Sequence, residues 1–210
     1  PLSFLINDED NTTPYGNRSL DIIVAPWPWV KLGTGKFRDD YLCSMFNGGN
    51  PEIEVTIHEH KSKKGIYMIE EMYGWPLLTE FFGGSQEEIE SQVKLTYTPV
   101  NITIDCSDPT KVVMPRQFTG IIDGDPAYGN YEIAMFTGGE GTLVNGVITF
   151  PQEALAFVCG AGNLKANKSG LFRILLPDAE VTDYALAAAY AGMKVSTDGE
   201  TASAVIDFTY

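Results

Sequence analysis

No apolar run in this chain approaches the roughly 20 residues that a bilayer-spanning helix needs, so no transmembrane helix is expected. Basic residues are scarce: 14 lysines and arginines stand against 28 aspartates and glutamates, for a formal net charge of -14. They are also dispersed, without a basic stripe, so the chain repels phosphate backbones. Nucleic acid is thereby excluded as a partner and an anionic membrane surface disfavoured. Cysteine is sparse too, since Cys43, Cys106 and Cys159 are odd in number, far apart and form no C-x-x-C metal or redox pair. If the run around it is a strand, Cys106 shares a face with Ile102 and Ile104 and reads as a buried, inert thiol. One disulfide with a thiol left over is the alternative.

The hallmarks of several catalytic classes are missing as well. No serine stands in a G-x-S-x-G setting, and both histidines of the chain fall in His58-Glu59-His60, so a nucleophile triad has no base to draw on elsewhere. Gly138-Gly139-Glu140-Gly141 lacks the lysine and the following helix of a phosphate-binding loop and reads as a hairpin connection. On a strand His58 and His60 share a face, with Glu54 farther along it, but two imidazoles without a third ligand fall short of a zinc site. They read as a solvated strand end, opposite in face to Ile53, Val55 and Ile57. Asp123-Gly124-Asp125 lacks the further ligands of a calcium loop and reads as a turn. Asp105 and Asp108 have a sufficient role in a turn at Ser107-Asp108-Pro109 and are not read as a glycosidase pair. No catalytic residue, metal or cofactor is therefore assigned, and the chain is read as no enzyme.

What the chain does have is glycine, 21 in all, and short alternating runs. A hydrophobic fraction of 44% with 20% charged residues allows one large or two small cores. Glu52-Ile53-Glu54-Val55-Thr56-Ile57 alternates strictly and predicts a half-buried strand. Lys61-Ser62-Lys63-Lys64-Gly65 then makes a polar turn, and Ile66 to Ile69 returns as the hairpin partner. Further strands are predicted at Gln92 to Tyr97, Val100 to Cys106, Lys111 to Met114, Tyr131 to Phe136, Gly146 to Phe150 and Leu171 to Leu176, with Asn145-Gly146 as a hairpin turn. A Ser85-x-x-Glu88 capping box opens a short helix from about Gln86 to Gln92. Val181 to Tyr190 is rich in alanine, which favours a helix, but Tyr184, Leu186, Ala188 and Tyr190 fall on one face at period two, so a strand is expected.

Lys64-Gly65-Ile66-Tyr67-Met68-Ile69 is echoed in the second half by Ser169-Gly170-Leu171-Phe172-Arg173-Ile174. A glycine-punctuated stretch precedes each copy, Gly33 to Asp40 in one case and Gly138 to Gly146 in the other. Duplication on this scale predicts tandem modules. The expectation is an all-β chain of two immunoglobulin-like β-sandwich modules with minimal helix, residues 1–91 with an N-terminal extension and residues 92–210.

Trp27 and Trp29 alternate with prolines in Pro26-Trp27-Pro28-Trp29. The prolines favour an edge or an extended connector, and a stiffened segment with two large aromatic faces could stack on sugars, with Tyr41, Tyr73 and Trp75 as further candidates. Trp27 and Trp29 are the ligand-binding residues predicted here, with core packing as the alternative.

Several longer phrases carry a resemblance. Leu32-Gly33-Thr34-Gly35-Lys36-Phe37-Arg38-Asp39-Asp40-Tyr41-Leu42, followed by the alternating strand and Lys64-Gly65-Ile66-Tyr67, resembles the first half of a group of secreted or lipid-anchored surface proteins of gut Bacteroidetes. The second half is similar to that group through Ile102 to Pro109, Val112-Val113-Met114-Pro115 with Gln117, Thr119 and Gly120, Gly141 to Pro151, and Asn167 to Pro177. Coverage runs from about Leu32 to Met193, and Glu70-Glu71-Met72-Tyr73-Gly74 departs from the more apolar Asn-Pro-Tyr stretch of related sequences. The resemblance implies export, lipid anchoring to the outer membrane through a cysteine upstream of this sequence, and β modules mounted before a further C-terminal domain. Pro1-Leu2-Ser3-Phe4-Leu5 has no signal-peptide pattern, as in a processed chain, and the strand-like Ala204 to Tyr210 ends without a polar tail, so the natural protein is expected to continue. The function implied is non-enzymatic extracellular binding, adhesion or spacing, with an unknown extracellular ligand as partner. A carbohydrate-binding module beside a glycan-uptake system is the alternative.

Overall fold

The structure is a computed structural model in which residues 26–46 and 49–179 are described. Strand dominates, as expected, with twelve strands and two short helices among the described residues. In chain order the strands are β1 (Trp29–Arg38), β2 (Glu52–His60), β3 (Ile66–Ile69), β4 (Leu95–Tyr97), β5 (Ile102–Asp105), β6 (Gln117–Asp123), β7 (Asn130–Met135), β8 (Thr142–Val144), β9 (Val147–Thr149), β10 (Leu155–Cys159), β11 (Gly162–Ala166) and β12 (Arg173–Leu175). The helices are α1 (Trp75–Phe82) and α2 (Gln86–Glu88). No described helix is long and apolar enough to cross a membrane.

The strands form a seven-stranded sheet in the order β5-β3-β2-β1-β12-β9-β8 and a five-stranded sheet in the order β11-β10-β7-β6-β4. Phe37, Val55, Ile57, Ile104 and Ile174 of the larger sheet join Ile121, Tyr131, Ile133 and Phe157 of the smaller in one apolar cluster. Sheets that alternate apolar and polar residues must bury their apolar faces together. β2 shows the pattern plainly, with Ile53, Val55 and Ile57 inward and Glu52 and Glu54 exposed.

The expected boundary between residues 91 and 92 runs through this arrangement rather than around it. β3 pairs with β5, Ile66 opposite Asp105 and Ile69 opposite Ile102. β1 pairs with β12, Lys36 opposite Leu175 and Arg38 opposite Arg173. The two echoed phrases thus supply β3 and β12, two strands of the same sheet, separated by β2 and β1. Each half leaves strand edges that the other completes, so the pairing describes one two-sheet unit and not one sandwich on either side of residue 91.

Several local readings meet the structure closely. β2 and β3 form the expected hairpin. Asn145 and Gly146, both at positive φ, turn β8 into β9, as an Asn-Gly hairpin turn requires. Ser85 and Glu88 make the capping box reciprocally, and after α2 the chain widens into a π-helical turn at Ile89–Val93. Other readings are corrected. Gly33-Thr34-Gly35, for which no strand was expected, lies within the longest strand, and Gly35 sits where the backbone must approach closely: a Cβ there would fall 2.2 Å from the Leu175 carbonyl oxygen and 2.4 Å from Ile57. Lys111 to Met114 makes only isolated bridges, Val112 to Gly141 and Val113 to Asp105. Gly138 to Gly141 carries the chain from β7 in the smaller sheet to β8 in the larger, so it is a crossover and not a hairpin. The strands expected at Val181 to Tyr190 and Ala204 to Tyr210 lie outside the described residues.

Replacing Gly35 by alanine should lower stability by about 1–3 kcal/mol through overpacking against backbone. Gly84→Ala, whose Cβ would meet only the flexible Glu88 side chain, should change it by less than about 0.5 kcal/mol. Urea midpoints of the two variants check this difference.

Candidate functional site

The residues that sequence pattern marks for ligand contact lie at the start of β1, beside the β2–β3 turn. Pro26, Trp27 and Pro28 lead into the strand without regular secondary structure of their own. Trp29 is paired with His60 across the β1–β2 ladder. The Lys61 N–H donates to the Pro28 carbonyl at 2.8 Å, and the Lys61 ammonium donates to the Trp27 carbonyl at 2.7 Å. The turn is braced from within: His60 Nδ1 accepts from the Ser62 and Lys63 N–H groups, and Glu59 accepts from the Gly65 N–H and from Lys64. The Lys64 contact and the Gly65 bond hold the Glu59 carboxyl below its usual range.

The two tryptophans fare differently. Trp27 is 57% exposed. Trp29 is half-buried and packs edge-on to His60, with ring centroids 5.1 Å apart. A single indole therefore presents its surface freely at this corner. Val30 and Leu32 are exposed just beyond it, next to a register shift between Lys31 and Gly33 that leaves Leu32 outside the pairing. Such bulges bend and twist a strand locally. Of the further aromatic candidates, Tyr41 and Tyr73 are fully buried and Trp75 is half-buried against Tyr97; Tyr41 and Tyr73 cannot join an exposed platform.

Of the two histidines only His60, partly exposed at the last position of β2, matches the expected solvated strand end. His58 is on the face opposite Ile57, as the alternation requires, yet it is only 7% exposed. Its Nε2 lies 2.6 Å from Glu70 Oε1, and Lys31 and Met68 are its neighbours in register on either side. Flanking side chains of a central strand can cover an imidazole even on an outer face. No group of three or more potential metal-ligating side chains occurs among the described residues.

The acidic candidates are committed to backbone. Asp105 accepts from the Ser107 N–H, Asp108 from Thr110, Asp123 from Asp125 and Asp125 from Ala127, each two residues on. These are turn-forming bonds. Tyr131 also donates its hydroxyl to Asp123. A groove of about 350 Å³ lies beside the Gly138-Gly139 loop, lined by Phe136, Pro151, Glu153 and Lys165 among others. Its charged groups, Lys165 and Glu153, are paired with each other at 2.8 Å.

A second cluster escaped sequence reading because the phrase that holds Asp39 and Asp40 has no catalytic or ligand-binding spacing. Asp39 and Asp40 follow β1 and are both buried. Asp39 accepts from the N–H groups of Tyr41, Leu42 and Cys43, closing the turn. Asp40 reaches across to the chain before β12, accepting from the Ser169 and Leu171 N–H groups, and also takes the Cys43 thiol at 2.7 Å. Burial, then the bond to Asp40, pushes that thiol up to about 12, so it stays a protonated donor. Buried Asn167 donates to the Phe150 and Pro151 carbonyls and accepts from Phe172. Next in line, Tyr41 stacks on Phe157 of β10 at 4.9 Å and donates its hydroxyl to the Glu132 carbonyl of β7. With its oxygens filled and shielded from solvent, the Asp40 carboxylate ties the end of β1 to the chain before β12, and Tyr41 ties the larger sheet to the smaller. All three cysteines are unpaired. Cys106 is buried as expected, and burial pushes its thiol up to about 12.

Comparison of the chain with protein-family models, with curated proteins and with solved structures gave no match.

Burial pushes the Asp39 carboxyl up to about 7, against the pull of its three N–H donors and with a smaller push from Asp40. The unfolded chain releases this proton near 3.8, so between those values the folded state binds more protons and stability must fall as pH rises, by up to about 1.4 kcal/mol per pH unit. Urea unfolding of the wild type should therefore lose stability relative to Asp39→Asn from about pH 4 to about pH 7 and run parallel to it above. Removing Asp40 is a separate case: Asp40→Ala takes away the acceptor of the Ser169 and Leu171 N–H groups at a part-buried junction and should cost about 1–2 kcal/mol at neutral pH.

Proposed function

We propose that this chain is an exported, non-enzymatic surface protein whose β-sandwich unit binds an extracellular ligand or spaces a further domain at the cell surface, lipid-anchored to the outer membrane. The tandem immunoglobulin-like arrangement expected from the echoed phrases gives way in this reading to one two-sheet unit. The observation that carries the proposal is how the polar groups are spent. Asp105, Asp108, Asp123 and Asp125 are engaged in turns, Asp39 and Asp40 are buried in bonds to backbone, and His58 is covered and bound to Glu70. A catalytic pair needs convergent groups open to a substrate.

The exposed indole favours a second reading, a carbohydrate-binding module working beside a glycan-uptake system. Trp27 is a large ring at the surface with a proline on either side, and tryptophan suits a binding surface because it joins a large apolar face to a polar N–H. Trp29 contributes by fixing the strand start against His60.

A glycan array tests both. The binding reading predicts retention on one polysaccharide class that is lost with Trp27→Ala. Circular dichroism should be unchanged in that variant, because the ring is exposed. Turnover of any glycan or peptide by the purified chain would contradict the non-enzymatic reading.

A further inference from the structure

The corner around Trp27 differs in charge from the rest of the molecule. Lys31, Lys61, Lys63 and Lys64 are four of the 14 basic residues in a chain of net charge -14, and all four are exposed. Lys64 is taken by Glu59. Lys31, Lys61 and Lys63 have no carboxylate within ion-pair distance among the described residues. The Lys61 ammonium is fixed on the Trp27 carbonyl, which holds one cation beside the exposed indole with donor protons to spare. Lys31 shares the outer face of β1 with Trp29, two residues away along the strand, opposite His58.

We propose that this corner binds an anionic polysaccharide, a glycan bearing carboxylates such as a polyuronate, with Trp27 stacking on a sugar face and Lys61, Lys31 and Lys63 meeting the carboxylates. This deepens the carbohydrate-binding reading above and rests on it. The physical logic is complementarity against background. An acidic protein repels polyanions at long range, so a local cluster of ammonium groups with no carboxylate partner among the described residues, set around one exposed ring, selects a ligand with a single carboxylate on each stackable sugar ring. Duplex nucleic acid and anionic bilayers carry denser charge and meet the repulsion of the whole surface. Lysine ammonium groups are compact, mobile charges, suited to carboxylates spaced along a flexible chain.

The test is titration of the full chain with polygalacturonate and, separately, with uncharged dextran, by calorimetry or affinity electrophoresis. Polygalacturonate should bind, and its affinity should fall about tenfold or more in Lys31→Gln/Lys61→Gln/Lys63→Gln and on raising salt from about 50 to about 500 mM, where exposed charges are screened. Trp27→Ala should abolish binding to it, while circular dichroism of both variants matches the wild type. Preferential binding of dextran, lost with Trp27→Ala but indifferent to the lysines and to salt, would overturn the anionic proposal and leave the carbohydrate reading standing. Polygalacturonate binding that survives Trp27→Ala would overturn the site. Failure of both polysaccharides, with binding instead to phosphatidylglycerol vesicles or to polyglutamate, would overturn the proposal and the carbohydrate reading together.

Discussion

Strand β1 is hydrogen-bonded on both edges, to β2 on one side and to β12 on the other, and everything else in the molecule depends on that double pairing. It brings the end of the described chain back to its beginning. Asp40 reinforces the junction from the strand's end, where its carboxylate takes the N–H groups of Ser169 and Leu171 while its carbonyl accepts from Asn167. Asn167 in turn clamps the chain leaving β9 through the Phe150 and Pro151 carbonyls. Tyr41 carries the connection to the second sheet by stacking on Phe157. Buried polar groups of this kind are favourable only when satisfied, and here the bonds that satisfy them are the bonds that join the halves.

The same strand separates structure from surface. Its last three residues, Lys36 to Arg38, are held between β2 and β12, with Phe37 buried against Phe172 and Tyr73. Its N-terminal half emerges past a bulge with Val30 and Leu32 exposed and Trp27 standing just outside the sheet. Core requirements govern one end of β1, while the other end is free to vary its chemistry. Loops and strand ends supported by a rigid sheet are where binding groups are usually displayed, and the indole and lysines of this corner fit that position.

How much of this could be read from sequence follows from the range of the interactions. The β2–β3 hairpin, the Asn145-Gly146 turn, the Ser85 capping box and the Asx turns at Asp105, Asp108, Asp123 and Asp125 are local: each is decided within a few residues, and each was legible. β1 was not, because Gly33 and Gly35 look like turn residues until the carbonyl of Leu175, far along the chain, is seen to require a missing Cβ. The Asp39-Asp40 hub was hidden for the same reason, since its partners at Ser169 and Leu171 come from the other half. The echoed phrases misled on organisation: both become strands, but strand pairing, not resemblance, decides which sheet a strand joins. The exposure of His58 was misjudged because alternation assigns a face and says nothing of what Glu70 and Met68 lay over it. For Trp27 the flanking prolines gave a usable signal, whereas the half-burial of Trp29 against His60 depends on strand register.

The central claim is that both sides of residue 91 form one cooperative unit. All three tryptophans, Trp27, Trp29 and Trp75, precede that residue, while Cys106 and Cys159 follow it, so the chain carries separate probes of its two halves. The most direct measurement is equilibrium urea unfolding, followed at once by tryptophan fluorescence and by the thiol accessibility of Cys106 in a variant lacking Cys43 and Cys159. The shared sheet and core predict coincident transitions with one midpoint and one slope. Two resolved transitions, with Cys106 still protected after the tryptophan signal is lost, would contradict the single unit and restore two independent modules.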